Sequence, residues 1–241
     1  MTPKLGEIWV YLAASPLLWL TATLLAYQLA FAIYARAGFS PLANPVAIAV
    51  ALIVLVLTLT GTSYKTYFDG AQFVHFLLGP VTVALAIPLY QQMAKLRRDW
   101  LALLVGAIVG SAAAIATAMG VAKLLGASPA TILSIAPKSV TMAIAMGIAE
   151  KIGGLPSLTA VLVMVTGVLG AVMARSILNL MKITDASTCG FALGVTAHGI
   201  GTARAFQVSE QMGAFAGLAM GLSGLLTALF LPLALKLLGF L

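Results

Sequence analysis

Three ionisable side chains stand in apolar surroundings: Lys138, His198 and Arg204. A charge at bilayer depth costs on the order of 3 kcal/mol on insertion scales, so such a group is usually retained for work. His198 and Arg204 share the stretch Ser187 to Phe206, S-T-C-G-F-A-L-G-V-T-A-H-G-I-G-T-A-R-A-F, together with Gly190, Gly194, Gly199 and Gly201. In one unbroken helix the two side chains lie about 120° apart. A helix break at Gly199 and Gly201 would let both face one cavity. Lys138 sits in a second interruption, Ala136-Pro137-Lys138-Ser139. Arginine can hold a carboxylate through two parallel hydrogen bonds. A helix restarting inside the membrane adds free N–H groups and a positive dipole end. The hydroxyls of Ser139, Thr141, Thr82, Thr196 and Thr202 suit a hydroxy- or keto-oxygen. His198 titrates near neutrality and could pass a coupled proton. The chemistry this set supports is capture of a small carboxylate.

Each residue also has a plainer reading. Arg204 could snorkel to the headgroups, Lys138 could be an interfacial loop charge, and His198 a satisfied packing histidine. Gly190, Gly194, His198 and Thr202 fall on one helical face, a small-residue stripe that lets another backbone approach closely. His75 reads as interfacial, Tyr90 either closes the site or belongs to the aromatic belt, and Glu150 with Lys151 read as solvated. No grouping of nucleophile, base and orienting residue is visible, and no paired-histidine metal spacing. The expectation is a protein that is not an enzyme, with no cofactor and no metal.

The elements that must position these residues are membrane helices. The 241-residue chain is 62% hydrophobic and only 8% charged, against roughly 25% charged in soluble domains. Its net charge of +7 is scattered at the ends of apolar runs, which speaks for membrane topology and against nucleic acid. One cysteine, Cys189, excludes an intrachain disulfide and a CxxC metal site. The fold expected is all-α, a polytopic helical membrane protein of about seven to eight segments. It forms a single integral domain over 1–241, with 1–40 a peripheral first span and 41–241 the core.

The first span is expected between Ile8 and Ala35, with Ser15-Pro16 as a helix start. The second runs from Pro41 to Thr60. A polar connector follows from Gly61 to Gly70, and then a third span, Ala71 to Gln91, broken at Gly79-Pro80. Such a break must be buried in protein or line water. Lys95, Arg97 and Arg98 mark a cytoplasmic loop before a span from Trp100 to Val121. Ser128-Pro129 opens a helix that is interrupted at Pro137. Spans from Pro156 to Met173, Ser187 to Phe206 and Ala214 to Lys236 complete the chain. Charge leaves the topology of 131–182 open between a crossing segment and a re-entrant hairpin.

Three of these broken segments echo one another: Val81-Thr82-Val83-Ala84, Val140-Thr141-Met142-Ala143 and Val195-Thr196-Ala197-His198. The first two follow prolines, Pro80 and Pro137, read here as helix starts. Repeated discontinuous helices point to the binding site of secondary transporters, although valine, threonine and alanine are abundant enough to repeat by chance.

Three motifs carry a resemblance: L-L-G-P-V-T-V-A-L-A-I-P-L-Y from Leu77, I-A-P-K-S-V-T-M-A-I-A-M from Ile135, and A-H-G-I-G-T-A-R-A from Ala197. With their order and the intervening G-G-x-P, the chain resembles the LrgB/CidB family of bacterial inner-membrane proteins. The resemblance implies either of two functions. Bacterial members are named as holin- or antiholin-like modulators of murein hydrolase activity and lysis, acting beside a small LrgA/CidA-type membrane protein. A plant relative resembles a plastid glycolate/glycerate translocator, and some bacterial pairs resemble pyruvate carriers. The leading expectation is a secondary transporter of small monocarboxylates in the cell inner membrane. Lys138 and Arg204 would hold the carboxylate, while Ser139, Thr141, Thr202 and Thr82 bond its other oxygen. The small-residue faces allow a homodimer.

Overall fold

The computed structural model describes residues 15–40, 43–84 and 86–239, and within these the side chains of His75, Leu78 and Thr82 lie outside the description. Pro41, the residues before Ser15 and the proposed role of the Thr82 hydroxyl therefore fall outside the described residues. Every regular element described is helical. The chain divides into two compact units, Met1–Ala84 and Leu85–Leu241.

In the first unit, α1 spans Pro16–Arg36, α2 Pro45–Thr60, α3 Tyr64–Phe76 and α4 Leu78–Ala84. Ser15 caps α1, with Pro16 in its first turn. The start of α2 is set by Asn44, whose Oδ1 accepts from the N–H groups of Val46 and Ala47. That is a strong N-cap. The polar connector expected over Gly61 to Gly70 is helical from Tyr64 onward. Tyr67 hydrogen-bonds Thr23 at 3.1 Å and meets Trp19 edge-on, so its ring belongs to the packing of α3 on α1. The chain breaks at Leu77, and Pro80 lies in the first turn of α4, where a missing N–H costs little.

The second unit holds α5 Ala86–Gln91, α6 Met93–Leu124, α7 Pro129–Ile135, α8 Met142–Lys151, α9 Pro156–Leu180, α10 Ala186–Val208 and α11 Glu210–Leu237. Lys95, Arg97 and Arg98, expected in a loop, lie in the first turns of α6. Among the described residues four helices, α1, α6, α9 and α11, are long and apolar enough to cross a membrane. The broken helices between Tyr64 and Gln91 make a fifth if counted as one span. This count does not confirm the expected seven to eight segments: Pro45–Thr60 is apolar but only 16 residues long, and two further apolar runs are interrupted.

The first of these is 129–153. The chain that leaves α7 at Ile135 has returned beside Ser134 by Gly154, where an added Cβ would sit 3.0 Å from the Ser134 nitrogen. The Ser134 hydroxyl accepts from the Leu155 N–H at 2.8 Å, and Thr159 donates to the Ser134 carbonyl at 2.9 Å. This segment is therefore a re-entrant hairpin, closed at its base onto α9. Pro137 lies in the break, two residues beyond Ile135, and α8 restarts five residues after it behind Thr141. Pro137 thus ends a helix, contrary to the expectation that it starts one; proline just past a helix end is favoured because it cannot continue the helix.

The second run is α10 itself. At His198 the backbone takes φ 41°, ψ −132°, and the helix folds back on itself. Beyond the turn, a Cβ on Gly201 would meet Ala197 and the Leu193 carbonyl. Leu193 is eight residues back and about 12 Å away in a straight helix. Gln211 donates to Ser187 at 3.0 Å across the hairpin base. The break expected at Gly199 and Gly201 falls on His198, and it is a full reversal. α11 then runs alongside the first half of α10. A Cβ on Gly190 would fall on the Met212 carbonyl oxygen, and one on Gly194 on that of Ala216, so the expected small-residue stripe is a backbone-to-backbone contact.

Candidate functional site

The two hairpins enter the unit from opposite ends. The base of the α10 hairpin lies at the N-terminal end of α6, where Lys95 and Asp185 form an ion pair of 2.9 Å. The base of the α7–α8 hairpin lies at the other end, where Leu133 and Ile152 pack with Leu231 and Leu235 of α11, flanked by Ile115 and Met119 of α6. Each hairpin is about half a membrane deep: the twelve residues of 186–197 rise about 18 Å at 1.5 Å per residue.

The tips meet halfway. A small cavity of about 10 Å³ is lined by Ala136, Pro137, Ser139 and Val140 of one tip and Val195 beside the other, with Ser111 and Thr227 among the spanning-helix residues that close it. Ser223 completes the wall. Ser111 and Ser223 fall near the middle of α6 and α11. Val140 and Val195, the leading residues of two of the repeated V-T motifs, face the same cavity. A hairpin followed by a spanning helix therefore occurs twice, α7–α8 then α9 and α10 then α11, inserted from opposite ends.

Lys138 is half-buried beside this cavity, and its ammonium donates to the Ser139 hydroxyl at 3.3 Å. His198 is buried, and its Nε2–H donates to the Val163 carbonyl on α9 at 3.0 Å. A carbonyl only accepts, so the Nε2 proton is committed to this bond. Gly167 makes room for the ring, since a Cβ there would lie 2.8 Å from the imidazole Cε1. A non-glycine residue at this φ costs roughly 1–3 kcal/mol unless its surroundings over-determine it. Here the ring bond to Val163 and the Thr202 hydroxyl, which donates to the His198 carbonyl at 2.9 Å, hold the turn.

The other residues singled out by sequence are placed as follows. Ser139 lines the cavity. Thr141 is the N-cap residue of α8, with no side-chain capping bond. Thr202 braces the His198 turn. Arg204 lies on the returning half of α10 and donates to Gln207 at 3.1 Å; it is not among the residues lining the cavity. Thr196 donates to Ala192 within its helix. Gly79 and Pro80 belong to the other unit.

Sequence reasoning missed Ser111, Ser223 and Thr227. The signal available was a serine beside a glycine at mid-span, Gly110-Ser111 and Ser223-Gly224. It also missed a groove of about 660 Å³ between α6 and α10, which runs from Lys95, Arg98 and Asp185 past Gly106 and Gly110 to Val195. Asp185 caps α10, accepting from the Thr188 N–H and hydroxyl, both at 2.9 Å. The Lys95 ammonium and these Thr188 bonds hold its carboxyl down at about 2.

Opposed hairpins between apolar spanning helices define a multi-pass helical membrane protein with discontinuous elements at mid-depth. Residues 23–237 match the LrgB-like family, and the chain belongs to that family. It is 34% identical over 193 residues to the uncharacterized protein YwbG of Bacillus subtilis, covering 80% of this chain and 86% of that one. It is 29% identical over 225 residues to the antiholin-like protein LrgB of the same organism, covering 93% and 97%. It is 27% identical over 198 residues to the holin-like protein CidB of Staphylococcus epidermidis, covering 82% and 86%. No solved structure matches the chain.

Proposed function

We propose that this protein is a secondary carrier of small monocarboxylates of the glycolate, glycerate, lactate or pyruvate kind. The observation that carries the reading is the meeting of two oppositely inserted hairpins at a polar cavity beside Lys138. Inverted pairs of discontinuous segments at mid-membrane are the architecture of secondary transporters. The start of α8 and the Lys138 ammonium make the tip positive, which favours an anion. Six basic residues, Lys95, Arg97, Arg98, Arg175, Lys182 and Arg204, lie toward the end that holds Asp185, against Lys123, Lys151 and Lys236 toward the other. By the positive-inside rule the first end faces the cytoplasm of an inner membrane. His198, with its Nε2 proton tied to Val163, serves first to hold the tip and only secondarily to relay a proton.

The names of the relatives favour a second reading, a holin- or antiholin-like regulator of murein hydrolase activity and lysis, working beside a small LrgA-type membrane protein. One experiment separates the two. The protein is reconstituted in liposomes with and without such a partner, and labelled glycolate and pyruvate uptake is followed under a proton gradient. Saturable uptake that Lys138→Met abolishes supports the carrier. Release of unrelated trapped solutes, indifferent to Lys138→Met, supports the holin-like protein and contradicts the carrier.

A further inference from the structure

We infer that Ser111 on α6 and Ser223 on α11 form an oxygen-binding subsite for the carboxylate of a small organic acid. This inference deepens the carrier reading and rests on it. Both residues are more than nine-tenths buried, and both hydroxyls lack a hydrogen-bond partner among the described residues. Both line the cavity between the hairpin tips. Serines in apolar helices ordinarily satisfy their hydroxyl on the carbonyl one turn back, as Ser134 does on Ala130 and Thr196 on Ala192. Ser111 and Ser223 make no such bond. A buried hydroxyl left unpaired is costly, so two around one cavity point to a polar occupant.

The sign of that occupant follows from its neighbours. Ser139 shares the cavity wall and receives the Lys138 ammonium. A metal cation would be repelled there, whereas a carboxylate oxygen can accept from Ser111, Ser223 and the ammonium together. The size follows from the volume. About 10 Å³ of free space is roughly the room for one water-sized group, so the closed cavity admits one oxygen of the ligand. The remainder requires the tips to part. Val195 lines both this cavity and the α6–α10 groove, and a Cβ on Gly110 would lie 3.0 Å from its Cγ1. The contact of Val195 with Gly110 is therefore where the ligand enters from the Lys95–Asp185 end.

The test is thermal melting of the purified full-length protein in detergent, with and without sodium glycolate or sodium pyruvate, for wild type, Ser111→Ala, Ser223→Ala and the double variant. Removing an unpaired buried hydroxyl leaves no broken bond, so the ligand-free variants should melt at or above the wild-type temperature. The wild type should rise with carboxylate, each single variant should need about tenfold more, and the double variant should not respond. A carboxylate-induced rise that survives in the double variant overturns the subsite, as does a lowered melting point in both ligand-free single variants. No rise in the wild type overturns it too. A rise with sodium chloride alone that the double variant abolishes assigns a small inorganic ion in place of a carboxylate and overturns it. Liposome uptake with the same preparations keeps the two claims separate. Unaltered uptake in the double variant removes the subsite and leaves the carrier. A serine-dependent melting shift without wild-type uptake keeps the subsite and removes the carrier.

Discussion

Replacing His198 with glycine and with alanine gives an order of stabilities opposite to that of any ordinary helix. In a helix interior glycine is worse than alanine by about 1 kcal/mol, because it loses more backbone freedom on folding. His198 sits at φ 41°, ψ −132°, a conformation that costs a non-glycine residue roughly 1–3 kcal/mol and glycine almost nothing. Both substitutions lose the same ring bond to the Val163 carbonyl, worth about 0.5–1.5 kcal/mol because that carbonyl, inside α9, keeps its own helical bond. The common loss cancels in the comparison. Strain relief minus the glycine entropy term leaves His198→Gly more stable than His198→Ala by up to about 2 kcal/mol. For a chain of this size that is up to about 8 °C in melting temperature. Both variants should melt below wild type, with glycine above alanine, in detergent-solubilised protein followed by intrinsic fluorescence. If alanine equals or exceeds glycine, α10 passes through position 198 as a helix and the reversal is wrong.

Four further outcomes follow from the packing and electrostatics. Gly194→Val puts side-chain atoms onto the Ala216 carbonyl and should cost more than about 3 kcal/mol, read as loss of the monodisperse peak in size-exclusion chromatography. Gly199→Ala, with only the Met220 sulfur nearby at 3.9 Å, should keep that peak. Ser134→Ala strips the Leu155 N–H of its partner and should lower stability by about 1–3 kcal/mol, measured by SDS titration. Asp185 titrates at about 2 in the folded chain, below its usual 3.8. Its contribution is therefore complete above the unfolded value and is lost as pH falls through the folded one. Because the group is exposed, screening keeps this below about 1 kcal/mol. Asp185→Asn should lose less stability than wild type on acidification through that window, measured by melting temperature.

Much of this architecture is legible in the sequence. Hydropathy marks the apolar helices. Gly190 and Gly194 announce the close approach of α11, and Pro137 with its neighbours announces the first break. The breaks do not announce that they are reversals. The turn in α10 falls on a histidine, held at positive φ by the hydrogen bond it donates to a helix 35 residues away in sequence, and no local signal encodes that. Gly201 marks the region only because the returning half must pass close to Leu193. Arg204 looked like a partner of His198 on linear spacing. Folding back carries it along the returning half toward the hairpin exit and Gln207. Ser111 and Ser223 were invisible because a lone hydroxyl in an apolar helix usually bonds its own backbone, and only the folded chain shows that these two do not. The connector after Gly61 becomes helical because Tyr67 packs on α1, a contact made across more than forty residues of sequence.

The most direct test of the opposed hairpins is cross-linking between their tips. In a Cys189→Ser background, Ser139→Cys and Val195→Cys should be joined in membranes by a short bifunctional thiol reagent, since both residues line one cavity. Ser187→Cys paired with Gln211→Cys, whose native side chains are hydrogen-bonded at the hairpin base, serves as the reference. Coupling of both pairs is the predicted result. Coupling of the reference pair without any coupling between positions 139 and 195 would mean that the tips do not meet, and the site built between them would not exist.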